Sequence, residues 1–213
     1  PMTTQLGQIA PDFEADSTQV PIRFHEWLGD SWGLFFSHPK DFTPVCTTEL
    51  GEVARLRGEW DKRNVKPIGL SVDPVESHHK WDQDIAETQG HAVDFPMIAD
   101  PDGKVSRLYD MIHPETDPTI TVRSVFVIDP NKKVRLSLTY PPSTGRNFAE
   151  VIRAIDSLQL TDSHSVSTPV NWNPGDRVVI SPKLSDEDAR AKYPQGYETL
   201  KPYLRLVALD GVG

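Results

Sequence analysis

Cys46 is the only cysteine in the sequence and the first residue whose setting suggests chemistry. It sits in Pro39-Lys40-Asp41-Phe42-Thr43-Pro44-Val45-Cys46-Thr47-Thr48-Glu49-Leu50. Thr43 followed by Pro44 reads as a helix N-cap with proline at the first helical position, where a missing N–H does no harm. That register predicts Cys46 in the first turn, where unpaired N–H groups and the positive dipole end favour a thiolate over a thiol. The Thr43 hydroxyl, three residues earlier, is expected to donate a hydrogen bond to something bound at the sulfur. Such a loop would suit a small electrophile. A free cysteine is often no more than a small buried hydrophobe, and the capped helix start argues against that here. No second cysteine forms a C-x-x-C pair for disulfide exchange. No arginine follows in Thr47-Thr48-Glu49-Leu50-Gly51-Glu52 to close a phosphate loop around the sulfur.

Arg123 interrupts an otherwise apolar strand, between Val122 and Val125-Phe126-Val127. It either faces water from an edge strand or points inward, and an inward arginine needs an anionic partner because an unpaired buried charge is prohibitive. Glu49 lies one helical turn beyond Cys46, where a bare carboxylate would oppose a thiolate by like charge.

A second motif, Gly29-Asp30-Ser31-Trp32-Gly33, fits the G-x-S-x-G pattern of hydrolase elbows. An elbow serine follows a strand and precedes a helix, whereas Ser31 is expected to follow the Phe24–Leu28 segment and precede a strand. The structural, turn-forming reading is preferred. His78-His79, beside Glu76 and Asp82, reads as a solvated surface pair, because adjacent residues on a helix do not share a face; no metal site is expected. Asp12, Glu14 and Asp16, and the run Asp186-Glu187-Asp188, read as solvated surface, the latter suiting a helix N-terminus.

The elements that must position these groups can be read from periodicity. Leu34–Ser37 and Lys66–Val72 read as buried strands ended by His38-Pro39 and Asp73-Pro74. A helix from Cys46 to about Arg63 presents Leu50, Val53, Ala54 and Trp60. A polar helix over roughly Ser77–Thr88 and a short strand at Phe95–Ile98 follow. Thr121–Ile128 turns at Asp129-Pro130-Asn131 into a return strand at Lys133–Thr139. Phe148, Val151, Ile152, Ile155 and Leu158 recur at helical spacing and close the main domain. This order predicts an α/β, thioredoxin-like fold. Proline-flanked pieces after Leu160, with Val178–Ile180 and a helix capped at Ser185, predict a small C-terminal α/β domain. The expected division is 1–164 and 165–213.

The chain has 213 residues with 22 lysines and arginines against 31 aspartates and glutamates, a net charge of −9. That excess of acid argues against extended contact with nucleic acid or anionic lipid, and no apolar run reaches membrane-spanning length. Neither signal-peptide nor transit-peptide patterning is evident near the N-terminus. With one cysteine no intrachain disulfide exists, so a reducing, cytoplasmic location is expected.

Pro39-x-x-x-Thr43-x-x-Cys46 matches the active-site motif of the peroxiredoxins, and the segment from His38 to Leu50 resembles their one-cysteine, peroxiredoxin-6 subfamily. So do Ala10-Pro11-Asp12-Phe13, the stretch from Tyr140 through Arg146 to Phe148, and Thr168-Pro169-Val170-Asn171-Trp172. The resemblance spans essentially the whole chain. It implies a thiol-dependent peroxidase acting on hydrogen peroxide and organic hydroperoxides without a cofactor, with Cys46 as the peroxidatic thiolate and Pro39 and Thr43 shaping its loop. Arg123 would stabilise the thiolate and polarise the peroxide, Glu49 would hold that arginine, and Arg146 and His38 would support the site, His38 as a partner of the cysteine. An external thiol or ascorbate would be the reductant. At least a homodimer, or a larger ring, is implied, with the C-terminal domain covering the partner's active site. Some members of this subfamily also hydrolyse phospholipids, with Ser31 and His25 matching their serine and histidine. Their aspartate falls on Asn131, a departure for which Asp129, two residues away, is the candidate substitute. A redox-sensitive chaperone or binding module is the other alternative.

Overall fold

The computed structural model describes residues 4–209. In chain order its elements are β1 (Glu14–Ala15), β2 (Ile22–Arg23), α1 (Phe24–Leu28), β3 (Trp32–Ser37), α2 (Pro44–Arg55) and α3 (Arg57–Lys62). Then come β4 (Val65–Ser71), α4 (Val75–Gln89), β5 (Met97–Ala99), α5 (Lys104–Leu108), β6 (Arg123–Ile128) and β7 (Val134–Tyr140). The last are α6 (Phe148–Ser163), β8 (Val166–Ser167), β9 (Val178–Ile180), α7 (Asp186–Lys192), β10 (Glu198–Lys201) and β11 (Leu204–Val207). Two compact units divide at Phe148/Ala149. The boundary read from composition after Leu160 falls later, because the texture of the chain changes only where α6 ends.

The first unit is built on a five-stranded sheet in the order β5-β4-β3-β6-β7. β3, β4 and β5 run parallel, with α2–α3 and α4 as the crossovers that parallel pairing requires, and β6 returns antiparallel beside β3. This is the thioredoxin-like fold expected from the sequence. β3 is buried along its whole length, as a central strand covered on both faces must be. Phe13, Phe24, Phe35 and Tyr109 form an aromatic cluster in its core, with ring centroids 4.7–6.3 Å apart. Each such fully buried ring contributes on the order of 2–3 kcal/mol through burial alone.

The antiparallel register is what brings the site together. Phe36 pairs with Val125, so the start of β6 lies level with the end of β3 and the loop that follows it. Ser37 fixes that corner, donating its hydroxyl to Val122 O at 2.6 Å and accepting from Ser124 N at 3.2 Å. Gly51 lets α2 approach α4 closely, since a Cβ there would stand 2.5 Å from Gln89 Cβ.

The expected single helix from Cys46 to Arg63 is two. Trp60 is buried and its indole N–H donates to Val53 O at 2.9 Å. A continuous helix would need that carbonyl for the N–H of Arg57, so the chain breaks at Leu56.

The second unit contains an antiparallel sheet in the order β10-β11-β9-β8. Its core gathers Leu160, Val166, Trp172, Val178, Ile180, Ala189, Tyr193 and Val207. Ser185 caps α7 as expected, accepting from Asp188 N at 3.1 Å. No helix among the described residues is long and apolar enough to cross a membrane.

Candidate active site

Thr43 occupies the cap position of α2 with an extended backbone, Pro44 begins the helix, and Cys46 lies in its first turn, fully buried. The Thr43 side chain does something other than cap. Its hydroxyl donates to Lys40 O at 2.7 Å, while its carbonyl accepts from Thr47 N and Thr47 Oγ1. The only hydrogen of that hydroxyl is therefore engaged within the loop, which departs from the expectation that it donates to something bound at the sulfur; its lone pairs remain. Pro39 is buried, just after β3.

Arg123 points inward and is buried. Nη1 donates to Cys46 Sγ at 3.2 Å and to Glu49 Oε1 at 2.6 Å, while Nε and Nη2 converge on Pro142 O at 3.0 and 2.7 Å. A guanidinium has five N–H groups, so one Nη2 hydrogen has no partner among the described residues. Glu49, also buried, is shared. Oε2 accepts from the Arg146 backbone N at 2.8 Å and from Arg146 Nε at 2.7 Å, and Oε1 from Arg146 Nη2 at 2.9 Å. Arg146 Nη1 reaches Ser124 O at 2.8 Å, which anchors the group to β6. Burial pushes the Glu49 carboxyl up, and the hydrogen bonds and charge of Arg146, with the charge of Arg123, outweigh it and hold it below the usual range. Glu49 therefore faces two guanidinium groups, and the like-charge opposition to the thiolate that a bare carboxylate would create is offset.

His38 is fully buried and neither meets water nor bonds to the cysteine. Its Nε2 lies 2.7 Å from Asp41 Oδ1 and its Nδ1 has no partner. His78 departs most from the sequence expectation. It is buried, with Nδ1 2.6 Å from Asp41 Oδ2 and Nε2 3.0 Å from Ile98 O, whereas His79 is exposed. The spacing of His78, Trp81 and Ile85 along one stripe of α4 was the signal that separated the two histidines.

The hydrolase constellation is not assembled. Ser31 lies between α1 and β3, as expected, and donates to Asn64 Oδ1 at 2.9 Å. His25 Nε2 contacts Ala10 O at 2.7 Å. Asp129, offered as the replacement for Asn131, spends Oδ1 on the N–H groups of Asn131 and Lys133 and Oδ2 on Arg135. Each is a turn or loop fastening.

Residues 6–137 match the AhpC/TSA family, and residues 157–196 match the C-terminal domain of 1-Cys peroxiredoxin. The chain is 54% identical over 202 residues to a 1-Cys peroxiredoxin of Dictyostelium discoideum, covering 95% of this chain and 84% of that protein. It superposes on a crystal structure of peroxiredoxin 6 from Arenicola marina with a TM-score of 0.92 at 45% identity, over 97% of this chain and 99% of the other. The yeast mitochondrial 1-Cys peroxiredoxin, studied for thiol resolution via glutathione/thioredoxin systems, gives a TM-score of 0.91 at 52% identity, covering 96% and 99%. With a lone buried cysteine under an arginine at the start of α2, and matches running through both units, the chain belongs to the AhpC/TSA peroxiredoxins, in their 1-Cys branch.

Proposed function

We propose that this thiol-dependent peroxidase works through Cys46, with Arg123, Thr43 and Pro39 forming its site and Glu49 and Arg146 holding Arg123 in place. The thiolate attacks the terminal oxygen of ROOH. The S–O bond forms as the O–O bond breaks, the departing RO⁻ takes a proton and leaves as ROH, and sulfur is oxidised by two electrons to a sulfenic acid. The spare Nη2 hydrogen of Arg123 and the free N–H groups of the first turn stabilise charge on the stretching oxygens. Thr43, its own hydrogen held by Lys40 O, accepts from the hydroperoxide O–H. The contact from Arg123 to both Cys46 and Glu49 carries this reading.

Return to the thiol needs an outside donor, since the chain has no second cysteine. An external thiol attacks the sulfenic sulfur and water leaves; a second thiol then releases the mixed disulfide. The glutathione/thioredoxin systems named for the yeast relative make thiols the first reductants to test, ascorbate the next. A homodimer or larger ring, with the C-terminal domain (165–213) covering a partner's site, and a cytoplasmic location belong to the same proposal; light scattering and cell fractionation test them. Peroxide consumption with a panel of reductants tests the activity: turnover that depends on Cys46 and on a thiol is expected. Chaperone activity without peroxide turnover would overturn it.

A further inference from the structure

The turn between β3 and α2 is fastened by a buried carboxylate. Asp41 Oδ1 accepts from His38 Nε2 at 2.7 Å, and Oδ2 accepts from His78 Nδ1 at 2.6 Å and Ser77 Oγ at 2.9 Å. The side chains of Asp41, His38 and His78 are 1%, 0% and 0% exposed, so nothing here is an adventitious surface contact. His78 Nε2 continues the link to Ile98 O on β5. Both ring nitrogens of His78 face oxygen atoms, so the imidazole is held at both ends. Burial pushes the Asp41 carboxyl up, but the hydrogen bonds from His38 and His78 outweigh it and hold it well below the ordinary range. The trio has the residue types of a metal site. Its N···O distances are those of hydrogen bonds, whereas a shared ion at about 2.1 Å from each ligand would hold nitrogen and oxygen roughly 3 Å apart or more.

The fastening reaches the site chemistry through one peptide unit. The N–H of Asp41 donates to Asp73 Oδ2 at 2.9 Å, and the carbonyl on the other side of that peptide, Lys40 O, receives the Thr43 hydroxyl. The next residue, Phe42, is held at φ +56°, a left-handed conformation that a bulky side chain disfavours and that persists only where its surroundings impose it. Two observations meet in this loop: the buried triple fastening of Asp41 and the left-handed backbone of its neighbour Phe42.

We propose that Asp41, clasped between His38 and His78, is a positioning residue for peroxide reduction, fixing the Lys40–Asp41 peptide and through it the Thr43 hydroxyl. The proposal rests on the peroxidase reading above. It implies that α4, which contributes no group to the sulfur, helps set the geometry in which the peroxide is held.

The test measures, in full-length protein, the second-order rate of Cys46 oxidation by hydrogen peroxide and, in parallel, the rate of its alkylation by iodoacetamide. Alkylation needs the thiolate but not the peroxide-binding loop. For Asp41→Asn and His78→Gln the peroxide rate should fall about tenfold or more while alkylation stays within about threefold. Asp41→Asn combined with Phe42→Gly should regain part of the loss, because glycine adopts the left-handed conformation without the clasp. Circular dichroism checks folding, and if Asp41→Asn does not fold, His78→Gln decides on the same ratio. Folded variants that match a fast wild type, equal losses in both reactions, or no recovery in the double variant would each overturn the positioning role alone. A folded wild type whose Cys46 reacts no faster with peroxide than a free thiol would instead remove the peroxidase reading, and the proposal with it.

Discussion

Arg123 and Cys46 are 77 positions apart in sequence, yet Nη1 of one donates to Sγ of the other at 3.2 Å. The contact is made by register: β6 runs antiparallel to β3, so its first residue meets the helix that starts where β3's loop ends. The same Nη1 also reaches Glu49, so the arginine is tied to the carboxylate as well as to the sulfur.

Replacing Cys46 with serine should abolish peroxide consumption while leaving the circular dichroism spectrum intact. A serine alkoxide is inaccessible near neutral pH, and the substitution changes one buried atom. Peroxide turnover by Cys46→Ser above the rate of buffer would contradict the mechanism.

Arg123→Met should slow Cys46 oxidation by about 100-fold, the usual effect of losing one preorganised donor at a developing charge. Thr43→Val should act in the same direction through the lost acceptor. Iodoacetamide alkylation of both variants should fall less than peroxide reduction. Equal losses in the two reactions would mean that Arg123 acts only by favouring the thiolate.

Glu49→Gln leaves Arg123 and Arg146 buried without their carboxylate, and removing one partner of a buried pair costs about 3–5 kcal/mol. Urea titration at neutral pH reads this directly. A loss below about 1 kcal/mol, the range of an exposed pair, would show that the arginines find other partners.

Acid should destabilise the fold in two stages. Burial lowers the pKa of His38 below its ordinary value of about 6.5, so the unfolded chain takes up that proton first and stability declines from there downward. Asp41 and Glu49 are held below the ordinary carboxylate value of about 4, so their contribution is complete above it and is lost as pH falls through their folded values. Melting temperatures across this range should fall gently and then steeply, with a shallower acid limb in Glu49→Gln. A melting temperature that rises on acidification from neutrality would contradict the assignment.

Much of the site was legible because its signals are local. Thr43-Pro44 announces a helix start, and the position of Cys46 follows by counting. Whether Arg123 faces in or out could not be read from its strand, because both faces of β6 are buried and the alternation that marks a solvent face is missing. The dipeptide His78-His79 suggests a surface pair, whereas the helical stripe through Trp81 and Ile85 turns only His78 inward. The break at Leu56 lies beyond periodicity altogether, since it depends on a carbonyl taken by an indole seven residues away. Thr43 shows the same limit: its backbone follows the sequence rule, and its hydroxyl goes to a carbonyl that only the folded loop presents.

Glu49 supplies one negative charge to two buried guanidinium groups. With Cys46 as a thiolate the four side chains are neutral together. Under the proposed mechanism, oxidation to a neutral sulfenic acid would remove the sulfur's charge and leave the other three side chains with a net charge of +1. On that charge balance, recovery of the oxidised protein should favour reductants that arrive carrying negative charge.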